Sequence, residues 1–172
     1  FFLRDSDVTL YAQWKSIPPA IITHPKDTSV RAGNRVFLTV QVSGVGLSYQ
    51  WKKNGTDISG ATSDTLVIDT VTRNDSASYN CIAGNTEGSV ISDPAVLTVI
   101  SAASVSAGED HTLILMSDGT AWGCGSNENG QLDIGTEKMA AIPVYLMSDV
   151  SMVSVGAKIS YLLTKHGNLL KI

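Results

Sequence analysis

Charge is scarce in this chain. Only 16% of its 172 residues are Asp, Glu, Lys or Arg, and the formal sum is −4 with three neutral His. With a pI near 5.2, there is no basic stripe to displace counterions from phosphates, so no nucleic-acid partner is expected. Long hydrophobic runs are missing too, and none approaches the ~18 apolar residues of a spanning helix. No membrane span is expected. Cysteine is nearly absent: Cys81 and Cys124 lie in segments of different pattern, so a bond between them is not expected. Two distant thiols and three scattered His make no zinc spacing. The nearest acidic pairs, Asp64 with Asp69 and Glu87 with Asp93, lack the dense carboxylates of a calcium loop. No metal, cofactor or catalytic constellation is expected.

What remains is a chain that can still bury a core, being 43% hydrophobic. Abundant Ser, Thr, Gly and Asn with few charges suit short strands joined by turns. The expected fold class is all-β. The chain starts without Met and in mid-pattern, which reads as a piece of something longer.

A repeat of period 48 organises the C-terminal part. "SVSAGEDHTLILMSDGTAW" from Ser104 aligns without gaps to "MVSVGAKISYLLTKHGNLL" from Met152. Val105 meets Val153, Gly108 meets Gly156, Leu115 meets Leu163, and Gly119 meets Gly167. Each copy reads as strand, tight turn, strand. Asp118-Gly119 and His166-Gly167 are expected to supply the positive φ angles of primed hairpin turns. The glycines of "SDGTAWGCGSNENGQL" do not form a dinucleotide loop: after Gly123 and Gly125, position 128 is Glu.

This segment resembles a repeat of the RCC1 family of β-propellers. Gly108, His111, Leu113, Leu115, Asp118, Gly119, Gly125, Asn127, Gly130, Gln131 and Leu132 fall on its pattern. Cys124 departs from the usual aromatic, and Asp133 from the usual Gly. The second copy is weaker, with Ile159 in place of the His and His166 in place of the Asp. The resemblance implies one full blade and one partial blade over residues 101–172, with His111 as a packing or hydrogen-bonding residue. One and a half blades leave strand edges open.

A second pattern fills residues 16–100. Val36, Leu38, Val40 and Val42 alternate, as do Leu47, Tyr49 and Trp51, Leu66 and Ile68, and Ala77, Tyr79, Cys81 and Ala83. Asn54-Gly55, Ser59-Gly60, Asn74-Asp75 and Glu87-Gly88 read as turns, and Pro94 suits an edge strand. "YQWKKNG" followed by "DSASYNC" resembles strands of an immunoglobulin-like sandwich. The resemblance implies Trp51 as core tryptophan and Tyr79 as the tyrosine-corner residue.

The sandwich cysteine expected eleven residues before Trp51 is Val40. Cys81 is therefore expected to be a buried free thiol. Bridging a loop of about forty residues would contribute roughly 3–4 kcal/mol, while burying Val40 returns about 1.5–3 kcal/mol.

"DVTLYAQW" in residues 1–15 resembles the last strand of a Listeria–Bacteroides repeat. His24 is expected to be solvated, Lys52-Lys53 to be a solvated strand end, and Tyr49 to be core. Loops 43–47 and 84–88, with Ser43, Gly44, Asn85, Thr86 and Glu87, are the expected binding surface. Together the resemblances imply a non-enzymatic segment of a large, modular, secreted or surface-attached bacterial protein. Its spacer-like sandwich and its propeller would bind a protein or a cell-surface glycan, as in adhesion. The alternative they imply is an RCC1-type regulator, such as a guanine-nucleotide exchange factor or scaffold.

Overall fold

The computed structural model describes residues 17–172. The strand expected in residues 1–15 lies outside them. The described residues are all-β, with seventeen short strands and one 3-10 turn, Arg73–Asp75. No helix among them is long and apolar enough to cross a membrane. The chain forms two compact units that do not follow chain order. The first combines the described residues up to Asp27 with Phe37–Ile68 and Ala77–Val96. The second combines Thr28–Val36, Asp69–Ser76 and Leu97–Ile172.

In the first unit, β5 (Ser48–Lys53) pairs antiparallel with β6 (Thr56–Asp57) and β8 (Ala77–Asn85), and β8 also pairs with β9 (Gly88–Ile91). The period-2 alternation places Tyr79, Cys81 and Ala83 on one face of β8, each buried. Trp51 stands directly across from Cys81 in the ladder, and both are fully buried. The Trp51 indole N–H donates to Ser63 O at 2.9 Å, so its only polar atom is satisfied. Val40 is 2% exposed where the sandwich pattern has a cysteine.

The run Val36 to Val42 is two strands rather than one. β3 (Val36–Thr39) pairs with β7 (Thr65–Ile68), while β4 (Gln41–Ser43) pairs with β1 (Ala20–Thr23). The chain changes partner at Val40, whose N–H leaves the ladder for Asp64 O. Side-chain periodicity continues through such a crossover, which is why the pattern hides it.

Other expectations change with the structure. Pro94 lies in no strand: it precedes β10 (Ala95–Ile100), which pairs in parallel with β2 (Thr28–Arg31). Asn74-Asp75 belongs to the 3-10 turn, closed by a capping box in which Asp75 accepts from the Thr72 N–H. The turn before β9 is centred on Thr86-Glu87, and Gly88 already starts the strand. Tyr49 is half-buried rather than core. His24 accepts the Asp93 N–H through Nδ1 at 2.8 Å, so it is held rather than merely solvated. Lys52 is paired with Asp57, and Lys53 lies 5.9 Å from the Tyr79 ring centre. Asp69 is taken by Arg35, and no metal-binding cluster occurs among the described residues.

In the second unit, β11 (Ala102–Ala107), β12 (His111–Met116), β13 (Ala121–Ser126) and β14 (Met139–Met147) form one antiparallel blade. β15 (Val150–Val155), β16 (Ser160–Thr164) and β17 (Leu169–Lys171) form a three-stranded second one. The 48-residue repeat is realised as identical register. Val105 pairs with Ile114 and Val153 with Leu162; Ile114 pairs with Trp122 and Leu162 with Leu170. The blades share one core of Leu113, Leu115, Ala121, Leu132, Ala140, Val150, Val153 and Leu162.

Hydrogen bonding closes both hairpins, from Gly119 N–H to Met116 O and from Gly167 N–H to Thr164 O. Only the glycines take positive φ, at +89° and +84°. Asp118 and His166 do not, so these turns are not of the primed two-residue kind. Asp118 acts instead through its carboxylate, which accepts from the Thr120 N–H and hydroxyl.

Two outcomes test this packing. The native chain should leave Cys81 unlabelled by a maleimide while half-buried Cys124 reacts. Burial, first, and the Asp64 charge push the Cys81 thiol up to about 11, with a backbone N–H opposing, so little thiolate exists at neutral pH. Rapid native labelling of Cys81 would contradict the placement. Gly125→Ala should cost on the order of 3 kcal/mol, since φ is +101° and a Cβ would strike the Asp110 carbonyl. Gly130→Ala, at φ +78° with open space around it, should cost about 1 kcal/mol. Urea unfolding of the two variants gives the comparison.

Candidate functional site

The two expected loops are brought together by one side chain. Asn85, at the end of β8, donates through Nδ2 to Val45 O at 3.2 Å and to Ile17 O at 2.8 Å. Its Oδ1 accepts the Glu87 N–H at 2.9 Å, which shapes the Thr86-Glu87 turn. Gly44 lies close against this amide: a Cβ there would stand 3.6 Å from Asn85 Nδ2 and 3.0 Å from Leu47 Cδ2. Ser43 ends β4 and anchors it, its hydroxyl donating to Ala20 O. The resulting surface has Val45 at its tip, 70% exposed, with Thr86 and Glu87 beside it. Val45 lies in the expected loop 43–47, but sequence reasoning missed its tie to Asn85 and missed Ile17 altogether. No local signal marks a carbonyl as the partner of an amide forty or more residues away.

The repeat positions behave differently, because most are turned inward. His111 is buried, and its Nε2 lies 2.9 Å from Ser160 Oγ. The Ser160 hydroxyl donates to Gln131 O at 2.7 Å, so it must accept from the imidazole. That assigns the proton to Nε2 and leaves Nδ1 buried without a partner. Burial, only partly opposed by the Asp110 charge, pulls the imidazole below its ordinary value. At the same junction Gly108 meets its repeat mate: a Cβ there would strike Gly156 O and stand 2.7 Å from Val155 Cγ1. A Cβ on Gly156 would instead meet its own blade's Ile159, at 2.8 Å.

The loop 126–133 is organised from within. Buried Asn127 donates to Glu137 O at 2.7 Å and accepts the Leu132 N–H at 2.9 Å. Buried Gln131 accepts the Asn129 N–H, and the Gly130 N–H closes on Asn127 O. Asp133 adopts φ +51°, the left-handed conformation that explains a usual glycine and that Asp tolerates. Asn127 and Gln131 thus spend their hydrogen bonds on shaping the loop.

Trp122 is half-buried at the edge of the same unit. The Arg31 guanidinium lies 4.5 Å from its ring centre, and Tyr145 meets it edge-on at 5.7 Å. Its indole N–H donates to Thr120 Oγ1 at 3.0 Å. Around Asp118, burial raises the carboxyl, but the Thr120 hydrogen bonds and the Arg31 charge outweigh it and hold it low.

A pH dependence follows from His111. Its folded value is depressed, so the unfolded chain takes up the proton first. The stability it contributes is full above about 6.5, the ordinary value, and is lost as pH falls below that. Melting temperature should fall between pH 7.5 and 5.5, and His111→Gln should flatten that slope. An unchanged slope in the variant would refute the assignment.

Comparison with known proteins agrees with this geometry. An immunoglobulin domain model matches residues 18–85. Regulator of chromosome condensation (RCC1) repeat models match residues 102–131 and 118–163. Among solved structures, the tandem Ig repeats of Dlar are 25% identical, with 47% of each chain covered and a TM-score of 0.44. A chimeric titin Z1Z2 is 27% identical over 49% of this chain and 97% of its own, with a TM-score of 0.44. The N-terminal four Ig domains of Dscam1 isoform 4.44 are 26% identical over 49% of this chain and 21% of theirs, with a TM-score of 0.44. The chain thus spans about half of the Dlar structure it matches. It carries an immunoglobulin-like domain joined to RCC1 repeats.

Proposed function

We propose that the chain is a non-catalytic binding module of a secreted or surface-attached bacterial protein, engaging a protein or cell-surface glycan. The observation that carries this reading is the Asn85 amide, which joins two separate loops into one surface around exposed Val45. Loops at one end of a rigid sandwich are where such folds place recognition, because the scaffold fixes their ends. An exposed apolar tip with hydroxyl and amide groups beside it suits contact with a folded protein or a sugar face.

Several polar groups have structural partners: His111 with Ser160, Asp118 with Thr120, Asp69 with Arg35. A non-enzymatic role is consistent with that use. The modular pattern and the resemblance of residues 7–14 to a Listeria–Bacteroides repeat support an extracellular setting.

Binding of the whole 172-residue chain to immobilised collagen, to peptidoglycan and to a glycan array tests the proposal. Saturable binding to at least one is expected, weakened about tenfold or more by Val45→Asp, as for a contact at an interface centre. Asn85→Ala should weaken it as well, by releasing the loops. Binding to none of the three, or binding that both variants leave intact, would leave the sandwich as a spacer only.

A further inference from the structure

We propose that the outer edge of β7 is a binding site for an extended peptide, which adds as a further strand hydrogen-bonded to the backbone of Thr65 and Val67. The site is independent of the loop surface and uses none of the Asn85 contacts. Two contacts give the register of β7 on β3. Thr39 Oγ1 lies 3.2 Å from Thr65 Oγ1, and the Val40 N–H donates to Asp64 O at 2.9 Å. One step back on one strand is one step forward on the other, so the pair is antiparallel. In such a pair, alternate residues point their N–H and C=O at the partner. Asp64 and Leu66 therefore face β3, while the N–H and C=O of Thr65 and Val67 turn to the opposite side.

No strand stands on that side: among the described residues, β7 pairs with β3 alone. An immunoglobulin-type sandwich has four strands in this layer. Here the layer has three positions, which are β1, the run of β3 and β4, and β7. The segment leading from β6 to β7 bonds to the other layer instead. The Ile58 N–H donates to Trp51 O at 2.9 Å, and the Trp51 N–H donates to Ala61 O at 3.0 Å. The Trp51 indole reaches Ser63 O as well. Anchoring on Trp51 thus leaves the place of a strand open as a groove of about 570 Å³. Thr65, Leu66 and Val67 form one wall of it and residues 58–63 the other.

The chemistry of the groove defines its occupant. Unpaired N–H and C=O groups recurring about 7 Å apart along an edge are matched by another extended backbone. The facing wall offers the hydroxyls of Ser59, Thr62 and Ser63 and the apolar side chains of Ile58 and Ala61, with no charge. Small or β-branched side chains suit that wall, and they also suit the outer face beside Val67, which is 42% exposed. Asp64, exposed where β7 begins, favours a basic residue flanking the paired ones. The ligand class is a short extended peptide with an uncharged, β-branched centre and basic flanks.

Fluorescence anisotropy of the whole chain with a fluorescein-labelled peptide, Lys-Thr-Val-Thr-Val-Thr-Lys, tests this. Saturable binding is expected. N-methylation of the three central peptide residues keeps the side chains but removes the donors, and should raise Kd about tenfold or more. Val67→Pro should do the same, because the N–H it removes faces the groove rather than β3. Val67→Thr, which keeps that N–H, should bind as the native chain does. The N-methyl arm uses the native protein, so it decides the matter even where Val67→Pro impairs folding. No saturable binding, or equal binding of the N-methylated peptide, would overturn the proposal. So would a native chain that dimerises in sedimentation velocity and loses the dimer in Val67→Pro, since a second copy would then occupy the edge.

Discussion

Burial of Val150, Val153 and Leu162 against Leu113, Leu115 and Leu132 is the contact on which the repeat unit depends. A blade is held internally by its ladders and turns, but neither covers its faces. Each fully buried aliphatic side chain contributes about 1.5–3 kcal/mol, and only the neighbouring blade supplies the cover. The glycine at 108 follows from the same constraint, since the second blade comes close enough there to leave no room for a Cβ. So does the inward turn of His111, which spans the junction to reach Ser160.

The sandwich solves the same problem without a covalent bond. Trp51 fills the centre, with Cys81 beside it across the ladder and Val40 where a second sulfur would stand. Apolar burial at Val40 offsets part of what loop closure by a disulfide would contribute. The thiol is left as a small apolar group whose ionisation is suppressed by burial. Hydrogen bonding around it is complete: the indole N–H reaches Ser63 O, and the Cys81 N–H reaches Ser92 Oγ.

Polar residues divide by role rather than by type. Asn127, Gln131, His111 and Ser160 are buried and spend their hydrogen bonds on shaping a loop and a junction. Asn85 does related work in the sandwich, but its partners are the carbonyls of exposed loops, so its effect is a surface. Immunoglobulin-like and RCC1 segments in one chain make a modular binding protein the coarse reading. The candidate recognition chemistry then falls to the loops beside Val45.

The core roles of Trp51 and Tyr79 came from the resemblance of "YQWKKNG" and "DSASYNC" to an immunoglobulin-like sandwich, while alternation and the gapless 48-residue repeat were enough to place the all-β class and the turn glycines. Those features depend on period-2 geometry and on backbone angles, which neighbouring residues impose locally. The partner change at Val40, the 3-10 turn at Arg73–Asp75 and the parallel pairing of β10 with β2 were not legible, because side-chain alternation is the same whichever strand lies alongside. The ties from Asn85 to Val45, His111 to Ser160 and Arg31 to Trp122 join residues 40, 49 and 91 positions apart. By itself, the sequence determined which residues face inward. The tertiary structure alone decided which inward faces meet and which stay open, because a ladder's register is local while the cover of a face comes from wherever the chain returns.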